Sequence, residues 1–132
     1  MQTADYVPST VIRLLSLIAL SEAKRAGAER IVYLSVHDVG KGPHLPHFAS
    51  KFAIEHAIVA SGIPFTTLRP NNFYQNDVWY KDVIMQYGVY PQPLGSAGVS
   101  RVDTGDIASA AANALTKGDT QERPILLPAP RR

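Results

Sequence analysis

Two side chains four residues apart, His47 and Lys51, have the types and the spacing for proton chemistry. On a helix, residues at i and i+4 lie one turn apart on the same face, so both side chains can point at one site. A nearby ammonium group favours the neutral form of an imidazole, which leaves the histidine able to accept a proton near neutral pH. The alternative is a solvated histidine and a solvated lysine at the start of an exposed helix, which is a common arrangement. The geometry of the site must decide between these two interpretations.

The segments around this pair are typical of one βαβ unit. Residues 31–35 form a short run of β-branched and aromatic side chains, which predicts a strand buried on both faces. A helix is predicted over residues 47–61 and a second strand over residues 65–69. Strands joined by a helical crossover are almost always parallel, so Ser35, the head of the helix and the loop of residues 70–72 should meet at one edge of the sheet. We expect the chemistry of the protein at that edge.

Four segments carry a resemblance to a known family: ERIVYLSV, HFASKFAIE, GIPFTTLRPNNF and VDTGDIASAAANAL. They occur in the right order, and the resemblance reaches from about Val11 to Leu115. The chain resembles the atypical NmrA-like branch of the short-chain dehydrogenase/reductase superfamily. The resemblance implies a Rossmann-like fold, a nicotinamide nucleotide (NADP or NAD) as cofactor, and an oxidoreductase-type reaction on a small-molecule substrate that the sequence does not name.

The resemblance also implies roles for particular residues. The superfamily uses a strand-end serine, a tyrosine and a lysine four residues later as its catalytic group, with the lysine holding the nicotinamide ribose. Ser35 matches the serine and Lys51 the lysine, whereas His47 stands at the tyrosine position. The loop that starts at Pro70 matches the one that borders the nicotinamide carboxamide. The resemblance therefore assigns catalysis to Ser35, His47 and Lys51, and cofactor binding to Ser35, Lys51, Pro70, Asn71, Asn72 and Phe73.

A glycine-rich phosphate-binding turn is missing from the sequence. Such a turn joins the first strand of a dinucleotide-binding fold to a helix whose amino terminus holds the pyrophosphate. No G-x-x-G-x-x-G or G-x-G-x-x-G spacing occurs in the 132 residues. We therefore expect the amino-terminal half of the parent fold to be absent, and NADP or NAD to bind weakly or not at all to the isolated chain.

The whole chain is predicted to form one incomplete domain, residues 1–132, with a frayed tail over residues 124–132. The predicted fold class is α/β: a partial Rossmann-like fold in three layers, with a parallel sheet of about three to four strands flanked by helices. The remaining predicted elements are helices over residues 11–26, 76–87 and 105–117 and short strands over residues 99–102 and 125–127. In the first of these helices, Val11, Leu14, Leu15 and Ile18 recur at helical spacing, which predicts a buried stripe. Asp103 and Asp106 are better suited to capping the last helix than to catalysis.

Composition excludes several classes of function. The content of 45% hydrophobic and 18% charged residues is typical of a globular domain. The net charge is only +2 and the basic residues are scattered, so no nucleic-acid surface is predicted. With no cysteine there is neither a disulfide framework nor a thiolate metal site. The apolar pattern of residues 11–26 is interrupted by charges and is too short to cross a bilayer, so we predict no membrane partner and a cytoplasmic location.

The sequence offers residues for two other kinds of site. His37, His44 and His47, with Asp38 between them, could in principle converge on a metal, but their spacing crosses a Pro/Gly loop and fits no zinc pattern. We therefore predict no metal site. Ser35 with a histidine and Asp38 could imitate a hydrolase triad, but Ser35 lies in no G-x-S-x-G turn. His56 lies half a helical revolution from His47 and is not expected to share its face.

Two functional hypotheses remain open. In the first, the chain is an NAD(P)-binding NmrA-like protein that contributes the nicotinamide side of a reductase site. In the second, it is a non-catalytic redox-sensing regulator or an interaction module derived from a truncated reductase. In either case, residues 31–35 should form an exposed apolar sheet edge, which favours pairing with another chain. We therefore predict a homo-oligomer or a separate partner chain.

Overall fold

The computed structural model of the protein describes residues 8–92, 98–117 and 124–126. Its α-helices are α1 Ser9–Arg25, α2 Pro46–Ser61, α3 Lys81–Tyr87 and α4 Thr104–Thr116. Its strands are β1 Ile31–Leu34, β2 Phe65–Arg69, β3 Asn72–Phe73, β4 Arg101–Val102 and β5 Pro124–Leu126. Two 3₁₀-helical segments, Val39–Lys41 and Tyr74–Tyr80, complete the regular structure of these residues.

The predicted βαβ unit is confirmed. β1 and β2 pair in parallel with Ile31 opposite Phe65, and α2 connects them. Helix α2 begins at Pro46, where a proline costs no hydrogen bond because the first helical N–H has no partner within the helix. It ends at Gly62, whose φ of 74° lies in the left-handed region that glycine adopts without steric cost. β5 pairs in parallel with the other side of β2, so the described sheet has the order β1-β2-β5.

The structure has the three layers that the sequence predicts. Alternate residues of a strand point to opposite faces, so β1 contributes side chains to both faces of the sheet. Ile31 and Tyr33 line a cleft together with α1 and α2, whereas Val32 and Leu34 line a cleft together with α4. A core cluster of Leu68, Val102 and Ile107 lies on the α4 side. The partial Rossmann-like α/β fold is therefore confirmed, with helices on both faces of the sheet.

The prediction of a buried stripe on α1 is wrong. Val11, Leu14, Leu15 and Ile18 are 41%, 57%, 59% and 51% exposed, and α1 has no buried residue. The helix packs on α2, and a second set of its side chains lines the cleft that α1 forms with α2 and β1: Ser16, Ala19, Leu20 and Ala23. The spacing correctly identified an apolar face, but a different face of the helix is turned toward the sheet.

Strand β1 is not buried on both faces as predicted. Its first three residues are half-buried and Leu34 is 41% exposed. The cause is its place in the sheet, because β1 lies at an edge and has β2 as its partner among the described residues. This agrees with the exposed apolar edge expected for residues 31–35, although Ser35 itself follows the strand and is buried.

The second half of the chain differs from the prediction in detail. The helix expected over residues 76–87 is divided into the 3₁₀ segment Tyr74–Tyr80 and helix α3. An unpredicted parallel pair forms between β3 and β4, with Asn72 opposite Arg101. The capping role of Asp103 is confirmed, since its Oδ1 accepts a hydrogen bond of 2.7 Å from the backbone N–H of Gly105 at the start of α4. Asp106 lies in the first turn of the same helix, where a carboxylate is favourable to the helix dipole.

At the carboxyl end, the short strand predicted over residues 125–127 is observed as β5, Pro124–Leu126, and the fraying of the tail stays a prediction. Residues 127–132, including the last residue of the predicted strand, lie outside the described residues. A search of the described helices finds none with the length and apolar character that crossing a membrane requires.

Candidate functional site

A cleft of about 270 Å³ opens at the carboxyl ends of β1 and β2, where the sequence predicts the chemistry. Six of the seven predicted site residues line it, and Asn72 does not. Its walls are formed by Leu34, Ser35, Val36, His47, Lys51, Pro70, Asn71 and Phe73. Residues from two strand ends, one helix and one loop are thus brought together, as parallel pairing requires.

Backbone hydrogen bonds extend the pairing of β1 and β2 into the cleft. The N–H of Ser35 donates to the carbonyl of Leu68 at 2.8 Å, and the N–H of His37 donates to the carbonyl of Pro70 at 2.9 Å. The two loops that leave the strands therefore stay side by side for several residues beyond the last paired strand position. Pro70 is among the fully buried side chains, which fixes the start of the Asn71 loop against the sheet.

Lys51 is held at the edge of the sheet and does not extend into bulk solvent. Its Nζ donates a hydrogen bond of 2.6 Å to the backbone carbonyl of Leu34 and lies 5.0 Å from the ring centroid of Tyr33, a cation–π distance. Burial lowers the pKa of Lys51, and the nearby carboxylate of Glu55 opposes this effect by raising it. The ammonium thus has fixed neighbours on β1 and on its own helix.

Two buried polar atoms at the site have no hydrogen-bond partner among the described residues. One is Oγ of Ser35, a residue that is 5% exposed, and the other is Oδ1 of Asn72. A buried hydroxyl or amide oxygen without a partner costs free energy, so a polar ligand or an ordered water that bonds to it is favourable. A ligand rich in hydroxyl and amide groups matches this donor and acceptor set, and the nicotinamide riboside part of NAD(P) is of that kind.

His47 lies at the mouth of the cleft. It is the second residue of α2, its side chain is exposed, and its ring meets Phe48 edge-on at a centroid distance of 6.0 Å. His56 is not among the residues that line the cleft and meets the ring of Phe52 edge-on at a centroid distance of 4.4 Å, which agrees with its expected place on another face. The exposure of His47 leaves its imidazole free to exchange protons with solvent or with a molecule in the cleft.

The alternative site hypotheses gain no geometric support. Nε2 of His37 lies 3.6 Å from Oδ2 of Asp38, and Nζ of Lys41 lies closer to the same oxygen, at 2.9 Å. In the ranges that the structure describes, no group of three or more histidine, aspartate and glutamate side chains is arranged to hold a metal ion. The hydroxyl of Ser35 donates to no histidine there, so the serine–histidine pair of a hydrolase is not formed.

Sequence reasoning missed a buried ion pair behind the cleft. Arg69 donates from Nε to Oε1 of Glu55 at 3.0 Å and from a second nitrogen to Oε2. Glu55 is 8% exposed and lies four residues after Lys51. This i, i+4 spacing was a signal in the sequence, because it places Glu55 on the helix face that carries His47 and Lys51.

A second network supports the far wall of the cleft. Arg101 donates to the carbonyl of Phe73 at 3.3 Å and also bonds the carboxylate of Asp77, to which the hydroxyl of Tyr90 donates as well. The Arg101 bond lowers the pKa of the exposed Asp77 carboxyl. The pairing of β3 with β4 therefore ties the loop at Phe73 to the segment that leads into α4.

Comparison with known proteins identifies relatives of the chain. The model of the NmrA-like family matches residues 16–129. The chain is 34% identical over 113 residues to an NAD(P)H azoreductase of Xenophilus azovorans, a match that covers 84% of the chain and 38% of the relative. It is 34% identical over 96 residues to the (4-alkanoyl-5-oxo-2,5-dihydrofuran-3-yl)methyl phosphate reductase of Streptomyces griseus, covering 71% of the chain and 34% of that protein. The photosystem II assembly factor Ycf39 of Guillardia theta is 32% identical over 132 residues, covering 94% of the chain and 40% of the factor.

Solved structures show the same fold. Triphenylmethane reductase of Citrobacter sp., complexed with NADP(H), superposes with a TM-score of 0.80 at 21% identity and covers 98% of this chain and 45% of its own. The Bordetella bronchiseptica enzyme WbmG, in complex with NAD, has a TM-score of 0.62 at 16% identity and covers 86% of this chain and 42% of its own. The chain spans less than half the length of each of these relatives and structures.

Proposed function

This chain belongs to the NmrA-like family, and we propose that its cleft is the nicotinamide side of an NAD(P)-binding site in a reductase-type protein. The observation that carries the proposal is the convergence of Ser35, His47, Lys51 and Asn71 on one cleft at the ends of two parallel strands. The reductases among the relatives support the reaction class. The two structural neighbours, which contain NADP(H) and NAD, support the cofactor class.

In this proposal the ammonium of Lys51 binds the hydroxyls of the nicotinamide ribose. Its Nζ already has one carbonyl partner, and an ammonium has three N–H donors, so two donors remain for the ligand. The unpartnered hydroxyl of Ser35 binds a polar group of the ligand, and Pro70, Asn71 and Phe73 form the wall along the carboxamide. When bound, the cofactor supplies a hydride to the substrate.

His47 is the proposed proton donor and acceptor. It occupies the position from which a side chain on the first turn of α2 reaches the cleft, and it is open to solvent. Imidazole exchanges protons near neutral pH, so it can supply the proton that accompanies hydride transfer to a small-molecule substrate. Ser35 would orient the reacting group of that substrate by a hydrogen bond.

Isothermal titration calorimetry with NADPH and with NADH tests the binding proposal. We expect at least one nucleotide to bind with a dissociation constant below about 1 mM, a weak affinity consistent with the missing glycine-rich turn. Lys51→Ala should weaken this binding by about tenfold or more, because a charge-assisted hydrogen bond is lost. Lys24→Ala, which alters an exposed lysine in the last turn of α1, is the matched control and should leave the affinity unchanged.

No detectable binding of either nucleotide up to about 1 mM would contradict the proposal and favour the non-catalytic alternative, a regulator or an interaction module. An affinity that is the same in Lys51→Ala as in the unaltered protein would remove Lys51 from the site. For the proton-transfer role, His47→Ala should leave nucleotide affinity intact and lower the rate of NAD(P)H oxidation by about a hundredfold, the lower range for a positioned general acid. Equal rates would exclude His47 from catalysis.

A further inference from the structure

The Glu55–Arg69 ion pair occupies a place where it can control the cleft. Glu55 follows Lys51 by one helical turn, and Arg69 directly precedes Pro70, at which the Asn71 loop begins. The two hydrogen bonds are bidentate, and this geometry fixes the relative orientation of both side chains more closely than a single bond would. The pair therefore couples the Lys51 turn of α2 to the end of β2.

Stability alone is a weak reason for such a pair. The Glu55 and Arg69 side chains are 10% and 26% exposed, so both charges have given up most of their hydration. The attraction between buried charges often does no more than offset this desolvation, and apolar side chains of similar volume would stabilise the fold as well. Stability therefore does not explain why Glu55 and Arg69 are charged, whereas a role in orienting Lys51 and the Asn71 loop would.

The charge of Glu55 also acts on Lys51. Burial is the larger effect and lowers the pKa of Lys51, whereas the carboxylate of Glu55 raises it. Without that carboxylate only the effect of burial would remain, and Lys51 would lose its proton at a lower pH. Glu55 thus keeps the ammonium charged while Arg69 keeps Glu55 in position.

We propose that Glu55 is a positioning residue of the nicotinamide site, which through Arg69 orients the Lys51 turn of α2 toward the Asn71 loop and maintains the positive charge of Lys51. This inference rests on the proposed function, because its consequence for the ligand is the binding of the nicotinamide ribose by Lys51. Glu55 itself does not line the cleft and touches no ligand there.

The first test compares Glu55→Gln with Glu22→Gln. Glutamine keeps the size and one acceptor oxygen of Glu55 and removes its charge, whereas Glu22 belongs to an exposed Glu–Arg pair on α1 and serves as the matched control. We expect the dissociation constant of NADPH to rise about tenfold in Glu55→Gln at pH 8 and to stay unchanged in Glu22→Gln. An unchanged affinity in Glu55→Gln would overturn the inference.

The pH profile separates positioning of Lys51 from a purely structural role. We expect the loss of affinity in Glu55→Gln to grow as the pH rises toward the ordinary pKa of lysine, because Lys51 is deprotonated at a lower pH in this variant than in the unaltered protein. A loss of equal size at every pH would overturn the inference. The charge of Glu55 also contributes to the raised pKa of Tyr33, so the profiles are compared in the Tyr33→Phe background, which removes that hydroxyl. The other charged or titratable groups on α2 or on the elements packed against it are common to both proteins: Arg13, Glu22, Lys24, Arg25, Asp38, Lys41, His47, His56 and Arg69.

Direct titration of Lys51 keeps the inference testable without a ligand. The Nζ resonance of Lys51, followed by NMR in lysine-labelled protein, should titrate at a lower pH in Glu55→Gln than in the unaltered protein. Glu55→Asp retains the charge and should restore most of the difference, which distinguishes charge from packing. An unshifted Lys51 titration would overturn the inference, whereas failure of the unaltered protein to bind NADPH would overturn the proposed function and leave this measurement valid.

Discussion

Helices α1 and α2 are neighbours of almost equal length that differ in what covers them. α2 has 16 residues and four of them are buried, whereas α1 has 17 residues and none is buried. Both carry apolar side chains at helical spacing, so the sequence gives no sign of the difference. Among the described residues, α2 contacts β2, a 3₁₀ segment and α1, whereas the main contact of α1 is with α2. The spacing of apolar residues thus indicates that a helix has an apolar face, but it does not indicate which element, if any, packs against that face.

The same contrast holds for charged side chains. Each helix carries a glutamate paired with an arginine: Glu22 with Arg25 on α1, and Glu55 of α2 with Arg69 of β2. The first pair is exposed, so solvent and salt screen it and it contributes little to stability. The Glu55–Arg69 pair is largely buried, so its geometry is fixed by the surrounding fold, and the charge of Glu55 raises the pKa of Lys51. Cover by the sheet therefore converts an ordinary pair of residue types into part of a site.

The largest difference between the two helices is expected when one apolar side chain on each of them is truncated to alanine. Ile54→Ala on α2 removes a side chain that is 2% exposed, and we expect the free energy of unfolding to fall by about 3 kcal/mol. Leu14→Ala on α1 removes one that is 57% exposed, and we expect a loss below about 1 kcal/mol. Urea unfolding followed by circular dichroism measures both values.

Equal losses in the two variants would break the comparison. They would mean that Leu14 is buried in solution, either against another chain or against a segment outside the described residues. A concentration-dependent loss in Leu14→Ala alone would identify association between copies as the source of that burial.

The fold was predictable where the information is local. The βαβ unit follows from β-branched runs, helical spacing and Gly62, all within about 40 residues. The exposed stripe of α1 and the pairing of β3 with β4 were not predictable, because each depends on contacts between segments far apart in the chain. The 3₁₀ segment before α3 was missed because a few apolar residues do not distinguish 3.0 from 3.6 residues per turn.

For the candidate site, the rule that parallel strand ends meet was sufficient to bring Ser35, Lys51 and Asn71 to one cleft. It could not place side chains within that cleft, and Asn72, whose amide oxygen is buried, does not line it. The Glu55–Arg69 pair also required coordinates, because a link between residues 14 apart depends on the orientation of α2 on the sheet.

A smaller effect is expected for Tyr33, which lies in the cleft between α1 and α2. Its hydroxyl is buried without a hydrogen-bond partner among the described residues. Tyr33→Phe removes that hydroxyl and keeps the ring beneath Lys51, so we expect the protein to gain about 1 kcal/mol in free energy of unfolding at pH 7. Tyr87→Phe, at a residue that is 66% exposed, is the control and should change nothing.

The same variant has a defined pH signature. Burial and the charge of Glu55 raise the pKa of Tyr33 to about 12, above the value near 10 of an unfolded chain. A raised folded-state pKa stabilises the fold fully below the unfolded value and loses this contribution as the pH rises through 10 toward 12. The advantage of Tyr33→Phe over the unaltered protein should therefore increase across that window. A constant difference would show that the Tyr33 hydroxyl is hydrated or hydrogen-bonded in solution.

The smallest change in stability, and the sharpest test of what covers α1, is expected from Leu15→Lys. Leu15 is 59% exposed, so its replacement should alter the free energy of unfolding by no more than about 0.5 kcal/mol. An exposed apolar stripe beside an open sheet edge favours association, so we expect the unaltered protein to sediment above its 14.4 kDa monomer mass and Leu15→Lys to shift toward the monomer. Gln86→Lys adds the same charge at an exposed position of a different helix, α3, and should leave the sedimentation profile unaltered. A compact monomer in all three proteins would contradict the predicted homo-oligomer. The apolar stripe of α1 would then remain exposed in solution, unlike the buried face of α2.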